Sequence, residues 1–267
     1  RFTDEACEVI RATADESDPF FLYLALPAPH TPWLPSEAFL GKSEVSLYGD
    51  FAMMVDAMVG RVLSTLDEMN ITEETMVIFT SDNGPCWYEE DDERFNHDSS
   101  GGLRGMKADA WEGGHRMPFI VRFPGKVEPA SVCDQTISFC DMIATFDEML
   151  GTGLLSADDS AAPDSFSFLP NLMGTDSIGP ERPNLILKSG RGLMTMRRGP
   201  WKLIEGDGSG GFSDRGKKKS DPKRYRGQLY RLDEDLGETK NLIDERPEVA
   251  ASLRRELREI VQAGRTR

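Results

Sequence analysis

Apolar residues recur every three or four positions in several segments of the chain, which is the spacing of an amphipathic helix. This pattern predicts helices over residues 1–16, 48–69, 139–150 and 247–263. Pro247 stands near the start of the last segment, where a proline is tolerated because its missing N–H has no helical partner. The sequence therefore predicts helices along the whole length of the chain.

Short, uninterrupted apolar runs lie between the first three helices and predict buried strands. These runs are Phe20–Leu26, Met76–Thr80 and Phe119–Phe123. Strands that are hydrophobic throughout are typical of a parallel sheet covered on both faces. Because the strands alternate with helices, we expect an α/β sheet with helices on both faces.

The pattern changes after the third helix. Residues 151–167 are rich in Ala, Ser, Asp and Gly and follow no period, which predicts a linker or surface loop. Short strand candidates follow at 185–187, 193–196, 201–204 and 229–232, before the last helix. We therefore expect one α/β domain over residues 1–168 and a small α+β subdomain with short antiparallel strands over residues 169–267.

Composition narrows the class of protein. The chain has 267 residues, of which 39% are hydrophobic and 9% aromatic, as in a globular protein. Its net charge of −15 argues against a nucleic-acid partner, since phosphate binding requires a basic surface. No apolar run approaches the roughly 18 residues that a membrane span requires. The chain opens on Arg1 without a basic and apolar leader, so we expect it to be part of a longer protein.

Two oxygen-bearing side chains, Asp82 and Asn83, directly follow the predicted strand Met76–Thr80. They are therefore expected at the carboxyl end of that strand, where open α/β sheets place their ligands. A carboxylate and an amide oxygen suit Ca²⁺ or Mg²⁺. The Asp-Asn-Gly sequence is also typical of an ordinary turn, and the residues alone leave both interpretations open.

Cations and one histidine are the remaining candidates. An acidic chain can hold an anionic substrate only where cations are concentrated, which draws attention to Lys107, Arg104 and Arg116. Glycines on both sides of Lys107 predict that its backbone approaches another part of the molecule closely. His30 lies in a proline-rich loop after Phe20–Leu26, where it is either an acid-base group or a group that fixes the loop.

Six landmarks occur in an order that resembles a known family. They are Pro19–Leu24 leading into Pro29–Pro32, then Tyr48–Asp50, Ser81–Pro85, Gly105–Lys107, Glu112–Pro118 and Gly199–Leu203. In this order they resemble the C-terminal part of a type I sulfatase of the arylsulfatase A and N-acetylgalactosamine-6-sulfatase kind. The resemblance implies an alkaline-phosphatase-like α/β fold with a mixed sheet. Residues 1–168 would then complete the catalytic domain.

The resemblance also implies a function and roles for the candidate residues. The expected reaction is hydrolysis of an aryl or carbohydrate sulfate ester, with Asp82 and Asn83 as ligands of Ca²⁺ or, alternatively, Mg²⁺. Lys107 would bind a sulfate oxygen, and His30 would contact the sulfate and protonate the departing alcohol. Arg104 and Arg116 are expected at the substrate, either directly or as supports. The family is usually exported or lysosomal.

The nucleophile of the family is not expected in this chain. Type I sulfatases use a formylglycine made from the cysteine of a Cys-x-Pro/Ala-x-Arg motif, and the only Cys-x-x-x-Arg here is Cys7–Arg11, with Val9 at its centre. Cys7 is also expected on a helix, and we reject it as the nucleophile. We therefore expect the chain alone to carry about half of an active site and to be inactive.

Several alternatives stay open at this point. The same metal site could serve a phosphodiesterase or phosphonate hydrolase of the same superfamily, or the chain could belong to a non-catalytic protein that binds a sulfated glycan. The roles of His97 and His115 are open, although a structural role is favoured for His115. The basic run Lys217–Lys219, with Arg224 and Arg226, is either a guide for a polyanionic glycan or a solvated loop.

Overall fold

The computed structural model describes residues 1–157, 160–174, 182–216 and 226–266. The chain divides into two compact units. The first unit comprises Arg1–Val77, Glu90–His97 and Arg122–Gly125, and the second comprises Ile78–Glu89, Asp98–Val121 and Lys126–Arg267. This division leaves the expected domain boundary near residue 168 as a prediction.

The first unit is built on two packed helices, α1 (Phe2–Thr13) and α2 (Ser46–Glu68), followed by a 3₁₀ turn at Thr72–Glu74. Helix α1 buries Ala6, Cys7 and Ile10 on one face, as its apolar spacing predicts. Ion pairs between Arg61 and Asp4 at 2.6 Å and between Arg11 and Glu68 at 3.2 Å join the two helices at their surface. Both helices are confirmed, and the short helix α3 (Glu89–Phe95) lies mainly in this unit.

The predicted buried strand Phe20–Leu26 is wrong for this structure. The segment has no regular secondary structure, and the side chains of Phe21 and Tyr23 are 79% and 80% exposed. Burial does alternate along the segment as in a strand, but no strand in the described part of the chain pairs with it. A strand requires hydrogen bonds from a neighbour, and an apolar run cannot supply them by itself.

Strands β1 (Val77–Thr80) and β2 (Phe119–Arg122) form a two-stranded sheet and confirm the other two predicted strands of the first domain. The short helix α4 (Glu112–His115) precedes β2. Helix α5 (Asp141–Leu150) ends at Gly151, whose φ of +61° suits a residue without a side chain. Two single turns, α6 (Leu154–Ala157) and α7 (Leu169–Leu172), follow in the loop-rich region.

The second unit ends in a four-stranded antiparallel sheet covered by a helix. Its strands, in spatial order, are β3 (Leu185–Lys188), β4 (Met194–Arg198), β5 (Trp201–Ile204) and β6 (Gln228–Arg231). Helix α8 (Pro247–Ala263) packs Leu253 and Leu257 against Leu203 of β5 and its neighbours. These strands and this helix confirm the predicted α+β pattern. No described helix is long and apolar enough to cross a membrane.

The packing of α8 gives a stability prediction. Leu253 is fully buried at the centre of the contact with the sheet, whereas Val261 on the same helix is 58% exposed. In the complete protein, Leu253→Ala should lower the free energy of unfolding by about 2–5 kcal/mol, because it removes buried methyl groups and leaves a cavity. The control Val261→Ala should change it by less than about 0.5 kcal/mol. Urea unfolding measures both, and equal effects would contradict the packing of α8.

Candidate functional site

Local hydrogen bonds hold the backbone of the loop after β1, and the side-chain oxygens of Asp82 and Asn83 take no part in them. The Ser81 hydroxyl donates to the Asn83 carbonyl at 3.1 Å, and the Asn83 amide nitrogen donates to the Gly84 carbonyl at 3.0 Å. Asp82 is exposed, and its carboxylate has no hydrogen bond or ion pair among the described residues. The same is true of the Asn83 side-chain oxygen. The turn therefore exists, and it leaves the Asp82 carboxylate and the Asn83 amide oxygen without protein partners in the described part of the chain.

This loop is fastened to the glycine-rich segment that carries Lys107. The Lys107 backbone N–H donates to the Pro85 carbonyl at 2.7 Å, and the Gly84 N–H donates to the Gly114 carbonyl at 3.1 Å. A Cβ atom on Gly84 would overlap the Gly113 carbonyl oxygen, so the two backbones touch only because Gly84 has no side chain. The structure thus brings Asp82 and Asn83 onto the same framework as Lys107.

We call residues Gly105–Trp111 the lysine loop. Its first residue, Gly105, has a φ of +83°, and a Cβ there would lie 2.7 Å from the Asp109 carboxylate. The Gly113 N–H donates to the Arg104 carbonyl at 2.8 Å and closes the loop at its base. The glycines therefore serve the close backbone approach that the sequence predicts. The surface that they approach belongs to the protein itself.

Asp109 clamps the turn on which Lys107 sits. Its carboxylate accepts the Met106 N–H at 2.9 Å and the Ser213 hydroxyl at 2.5 Å, and the residue is almost fully buried. Ala108, between Asp109 and Lys107, has a φ of +72°, a conformation that costs a non-glycine residue free energy and persists only when its surroundings impose it. The ammonium of Lys107 makes no hydrogen bond or ion pair within the described ranges. A rigid turn therefore presents a free cation.

Glu112, at the start of α4, carries a buried negative charge. Its carboxylate pairs with the Lys202 ammonium at 2.8 Å and lies 3.4 Å from Arg116 and 3.9 Å from Arg197. Burial works to raise the pKa of Glu112, but Lys202 and the surrounding cations outweigh it and lower the pKa to about 2. Glu112 is therefore ionised at neutral pH and compensates the positive charge around it.

Arg104 and Arg116 both contact other protein groups. The Arg104 guanidinium lies 3.8 Å above the Trp111 ring and donates to the Tyr230 hydroxyl at 3.1 Å and the Glu238 carbonyl at 2.8 Å. Arg116 is half exposed and rests on Glu112. The contacts of Arg104 are those of a support between the lysine loop and the C-terminal sheet, whereas Arg116 supports the Glu112 carboxylate. Direct substrate binding by either arginine stays a prediction.

His115 is a partly buried histidine inside the same charge cluster. Its Nε2 atom lies 3.1 Å from the Lys202 ammonium and 3.3 Å from the Ala110 carbonyl. Burial, followed by repulsion from Lys202, lowers the pKa of His115 to about 4, so its ring is neutral at pH 7. The neutral ring can accept a hydrogen bond from Lys202, which is a structural role.

His30 lies in the first unit, in a turn between Pro27 and Pro32. Its Nδ1 atom is 2.7 Å from the Thr31 carbonyl oxygen. Because a carbonyl can only accept, Nδ1 carries a proton, and Nε2 of this exposed side chain makes no hydrogen bond among the described residues. The ring is therefore fixed at one nitrogen and available at the other. The catalytic role of His30 stays a prediction.

The remaining sequence candidates add little. Cys7 is buried on α1, with its sulfur 4.0 Å from the Arg61 carbonyl. His97 is half-buried just after α3. Lys217–Lys219 and Arg224 lie outside the described residues, and Arg226 forms an exposed ion pair with Asp244 at 3.2 Å. Within the described ranges, no group of three or more His, Cys, Asp or Glu side chains could hold a metal ion.

Sequence reasoning missed the roles of Asp109, Lys202 and Glu238. Asp109 looks like an ordinary loop acid, Lys202 falls in an apolar strand, and Glu238 follows a glycine in a polar stretch. A charged residue inside an otherwise apolar strand is unusual. Lys202 was therefore the one position of the three with a detectable signal.

Comparison with known proteins identifies the class of protein. Residues 1–152 match the Sulfatase family model, which covers more than half of the chain, and the chain belongs to the sulfatase family. It is 34% identical over 257 residues to an N-acetylgalactosamine-6-O-sulfatase of Bacteroides thetaiotaomicron. That alignment covers 94% of this chain and 48% of the relative. The N-acetylgalactosamine-6-sulfatase of Canis lupus familiaris is 32% identical over 205 residues, 75% of this chain and 37% of the relative.

Solved structures show the same likeness. A Bacteroides thetaiotaomicron protein, described in work on the metabolism of multiple glycosaminoglycans, superimposes with a TM-score of 0.83 at 33% identity over 97% of this chain and 53% of its own. A Pseudoalteromonas sulfatase superimposes with a TM-score of 0.77 at 21% identity, over 97% of this chain and 51% of its own, and supports the fold alone. The predicted alkaline-phosphatase-like α/β class is therefore confirmed. The chain spans about half the length of these relatives.

The lowered pKa of His115 predicts how stability changes with pH. The folded protein binds the His115 proton only near pH 4, whereas an unfolded histidine binds it near 6.5, so the unfolded state takes up the proton first as the pH falls. Lowering the pH from 7 to 5 should therefore cost about 1–2 kcal/mol of stability through this residue. Glu112 titrates well below this window.

The measurement is urea unfolding of the complete protein and of His115→Gln at pH 7 and pH 5. Gln keeps an acceptor for Lys202 but does not titrate, so the variant should lose less stability between the two pH values than the wild type. An identical loss in both proteins would show that folding leaves the pKa of His115 near its ordinary value, and would contradict the burial of its ring.

Proposed function

We propose that this chain supplies the C-terminal part of the active site of an enzyme that hydrolyses a sulfate monoester. The observation that carries the proposal is the joined framework of two loops, on which Asp82 and Asn83 offer free oxygens and Lys107 offers a free ammonium. Membership of the sulfatase family supports the choice of sulfate over phosphate or phosphonate. The two relatives named for N-acetylgalactosamine 6-sulfate hydrolysis favour a carbohydrate sulfate as substrate.

Asp82 and Asn83 fit a hard divalent cation, for which we propose Ca²⁺, with Mg²⁺ as the alternative. Carboxylate and amide oxygens are the donors that Ca²⁺ accepts, and both are free of protein partners in the described part of the chain. Ca²⁺ takes about 6–8 oxygens, so other groups must complete its shell. When bound, such an ion would act as a Lewis acid toward the sulfate.

Lys107 is proposed to bind a nonbridging oxygen of the sulfate. Its clamped turn fixes the backbone from which the side chain extends, so less reorganisation is required as charge shifts during the reaction. An acidic chain with a net charge of −15 repels an anionic ester in general, and a free cation offsets that repulsion locally. This function requires the side chain to stay unpaired in the protein.

His30 is proposed to protonate the departing oxygen. In its protonated form the ring would donate from Nδ1 to the Thr31 carbonyl and from Nε2 to the leaving group. The Thr31 carbonyl fixes the ring and favours the form that carries a proton at Nδ1. The nucleophile, expected to be a formylglycine, and the remaining groups would come from outside these 267 residues.

The metal assignment predicts the effect of removing one carboxylate. In the complete protein, Asp82→Ala should weaken Ca²⁺ binding by at least about tenfold and lower activity in parallel, since the ion loses a charged ligand. The fold should survive because Asp82 makes no described contact. Calorimetric titration with Ca²⁺ measures the affinity, and Asp56→Ala, which removes an exposed acid of α2, is the control. Unchanged affinity in folded Asp82→Ala would leave the loop as a plain turn.

The roles of His30 and Lys107 predict different dependences on the leaving group. A general acid contributes about 10²–10⁴-fold, and mainly when the departing oxygen is a poor leaving group. His30→Ala should therefore lower kcat/KM strongly for a sugar sulfate and weakly for a nitrophenyl sulfate. Lys107→Ala should lower kcat/KM by similar factors, about 10²–10³-fold, on both esters, since the sulfate is common to them.

Lys126→Ala serves as the control for loss of an exposed lysine. Equal losses for His30→Ala on the two esters would mean that His30 anchors the sulfate and transfers no proton. If the complete protein bound a sulfated glycan but hydrolysed neither ester, it would be a binding protein and the proposed reaction would be rejected.

A further inference from the structure

Glu238 is a fully buried acidic residue on the turn after β6, and two of its groups contact residues that flank the lysine loop. Its side chain is 0% exposed. Its carbonyl accepts a hydrogen bond from Arg104 at 2.8 Å, and its Oε2 atom accepts one from the Glu112 backbone N–H at 2.6 Å. Its Oε1 atom pairs with the Lys202 ammonium at 3.0 Å. One residue therefore meets both flanks of the lysine loop.

Arg104 and Glu112 bracket the lysine loop, and the loop is closed between them by the bond from the Gly113 N–H to the Arg104 carbonyl. Glu238 contacts the side chain on one side of this closure and the backbone on the other. Lys107 sits on the turn between them, where Asp109 holds the Met106 N–H. A shift of Glu238 would therefore move the base from which Lys107 projects.

The arrangement is costly for a residue whose task is only to stabilise the fold. Glu238 has a φ of +51°, a backbone conformation in which glycine would be preferred. Burial raises the pKa of its carboxyl, and the neighbouring Glu112 competes for the same ammonium of Lys202. Buried ion pairs are often no more stabilising than apolar residues of the same volume. Fold stability alone does not account for a glutamate at this position.

We propose that Glu238 is a positioning residue for Lys107, which holds both ends of the lysine loop in the geometry that the sulfate requires. This inference rests on the proposed function, since it needs Lys107 to act on the substrate. It also gives the C-terminal sheet a part in the reaction: Lys202 of β5 and Glu238 after β6 act through the loop without touching the substrate.

Glu238→Gln tests the proposal with a side chain of the same shape. Gln has one acceptor, whereas Glu238 faces two donors, the Glu112 N–H and the Lys202 ammonium. In either orientation of the amide, its NH₂ group meets a donor, so one of the two contacts is lost. The variant is made in the complete protein, once with Lys107 present and once together with Lys107→Ala, and kcat/KM is measured for a nitrophenyl sulfate.

If Glu238 acts through Lys107, Glu238→Gln should lower kcat/KM by about 10–100-fold in the wild-type background, as expected for a misplaced catalytic group. In the Lys107→Ala background the same change should lower kcat/KM by less than about twofold, because there is no longer a cation to position. A purely structural role would reduce activity by the same factor in both backgrounds. Equal factors would therefore overturn the proposal.

Glu256→Gln is the matched control, because it removes the partner of Arg198 on strand β4 without touching the lysine loop. It should leave kcat/KM within about twofold of the wild type, because no contact of the lysine loop changes. If Glu238→Gln does not fold, Glu238→Asp, which keeps the charge and shortens the side chain, takes its place in the cycle. Failure of both variants to fold would establish a structural role and reject the proposal.

The double-mutant cycle of Glu238→Gln and Lys107→Ala also distinguishes failure of this inference from failure of the proposed function. If Lys107→Ala alone leaves kcat/KM unchanged, the assignment of Lys107 to the sulfate fails and the positioning role fails with it. If Lys107→Ala has a large effect and the two changes are additive, the proposed function stands and only the role of Glu238 is rejected.

Discussion

The ammonium of Lys202 lies in the interior between the carboxylates of Glu112 and Glu238, and the lysine loop depends on this arrangement. The charge of a buried cation must be compensated. The two acids that compensate it come from different parts of the chain, α4 and the turn after β6. Removing one member of such a cluster typically costs about 3–5 kcal/mol, because the others keep uncompensated charge. The cluster therefore fixes where β5, α4 and the turn after β6 contact one another. Those contacts in turn set the position of the lysine loop between Arg104 and Glu112.

Backbone contacts connect the lysine loop, which the cluster positions, to the loop that holds Asp82 and Asn83. Gly84 and Gly113 touch without side chains, and Lys107 is bonded through its N–H to Pro85. Main-chain contacts of this kind allow fewer alternative arrangements than contacts between long side chains. The side-chain oxygens of Asp82 and Asn83 and the Lys107 ammonium remain without protein partners in the described part of the chain. Such a site is preorganised, with fixed supports and free functional atoms.

The sequence predicts the elements that pack a regular face and misses those that depend on distant partners. Helix α8 and strand β1 were predictable because burial on one face, or on both, imposes a period or an apolar run. Phe20–Leu26 has such a run, but pairing with a neighbour is not encoded in it. The order of the motifs assigns Asp82 and Lys107 to one site, and backbone hydrogen bonds join their two loops in the structure. Glu238 could not be recognised, because its partners lie far away in sequence and its surroundings resemble a polar surface turn.

The distance along the chain between Glu112 and Glu238 affects how the protein is made. The two residues are 126 positions apart, and Lys202 and Glu112 are 90 apart. A ribosome synthesises the lysine loop long before it synthesises the residues that hold both of its flanks. During that interval Glu112 has no buried cation to pair with, and closing so long a connection carries an entropic cost that local contacts do not repay. The candidate site therefore acquires its geometry late in biosynthesis, after the C-terminal sheet has folded.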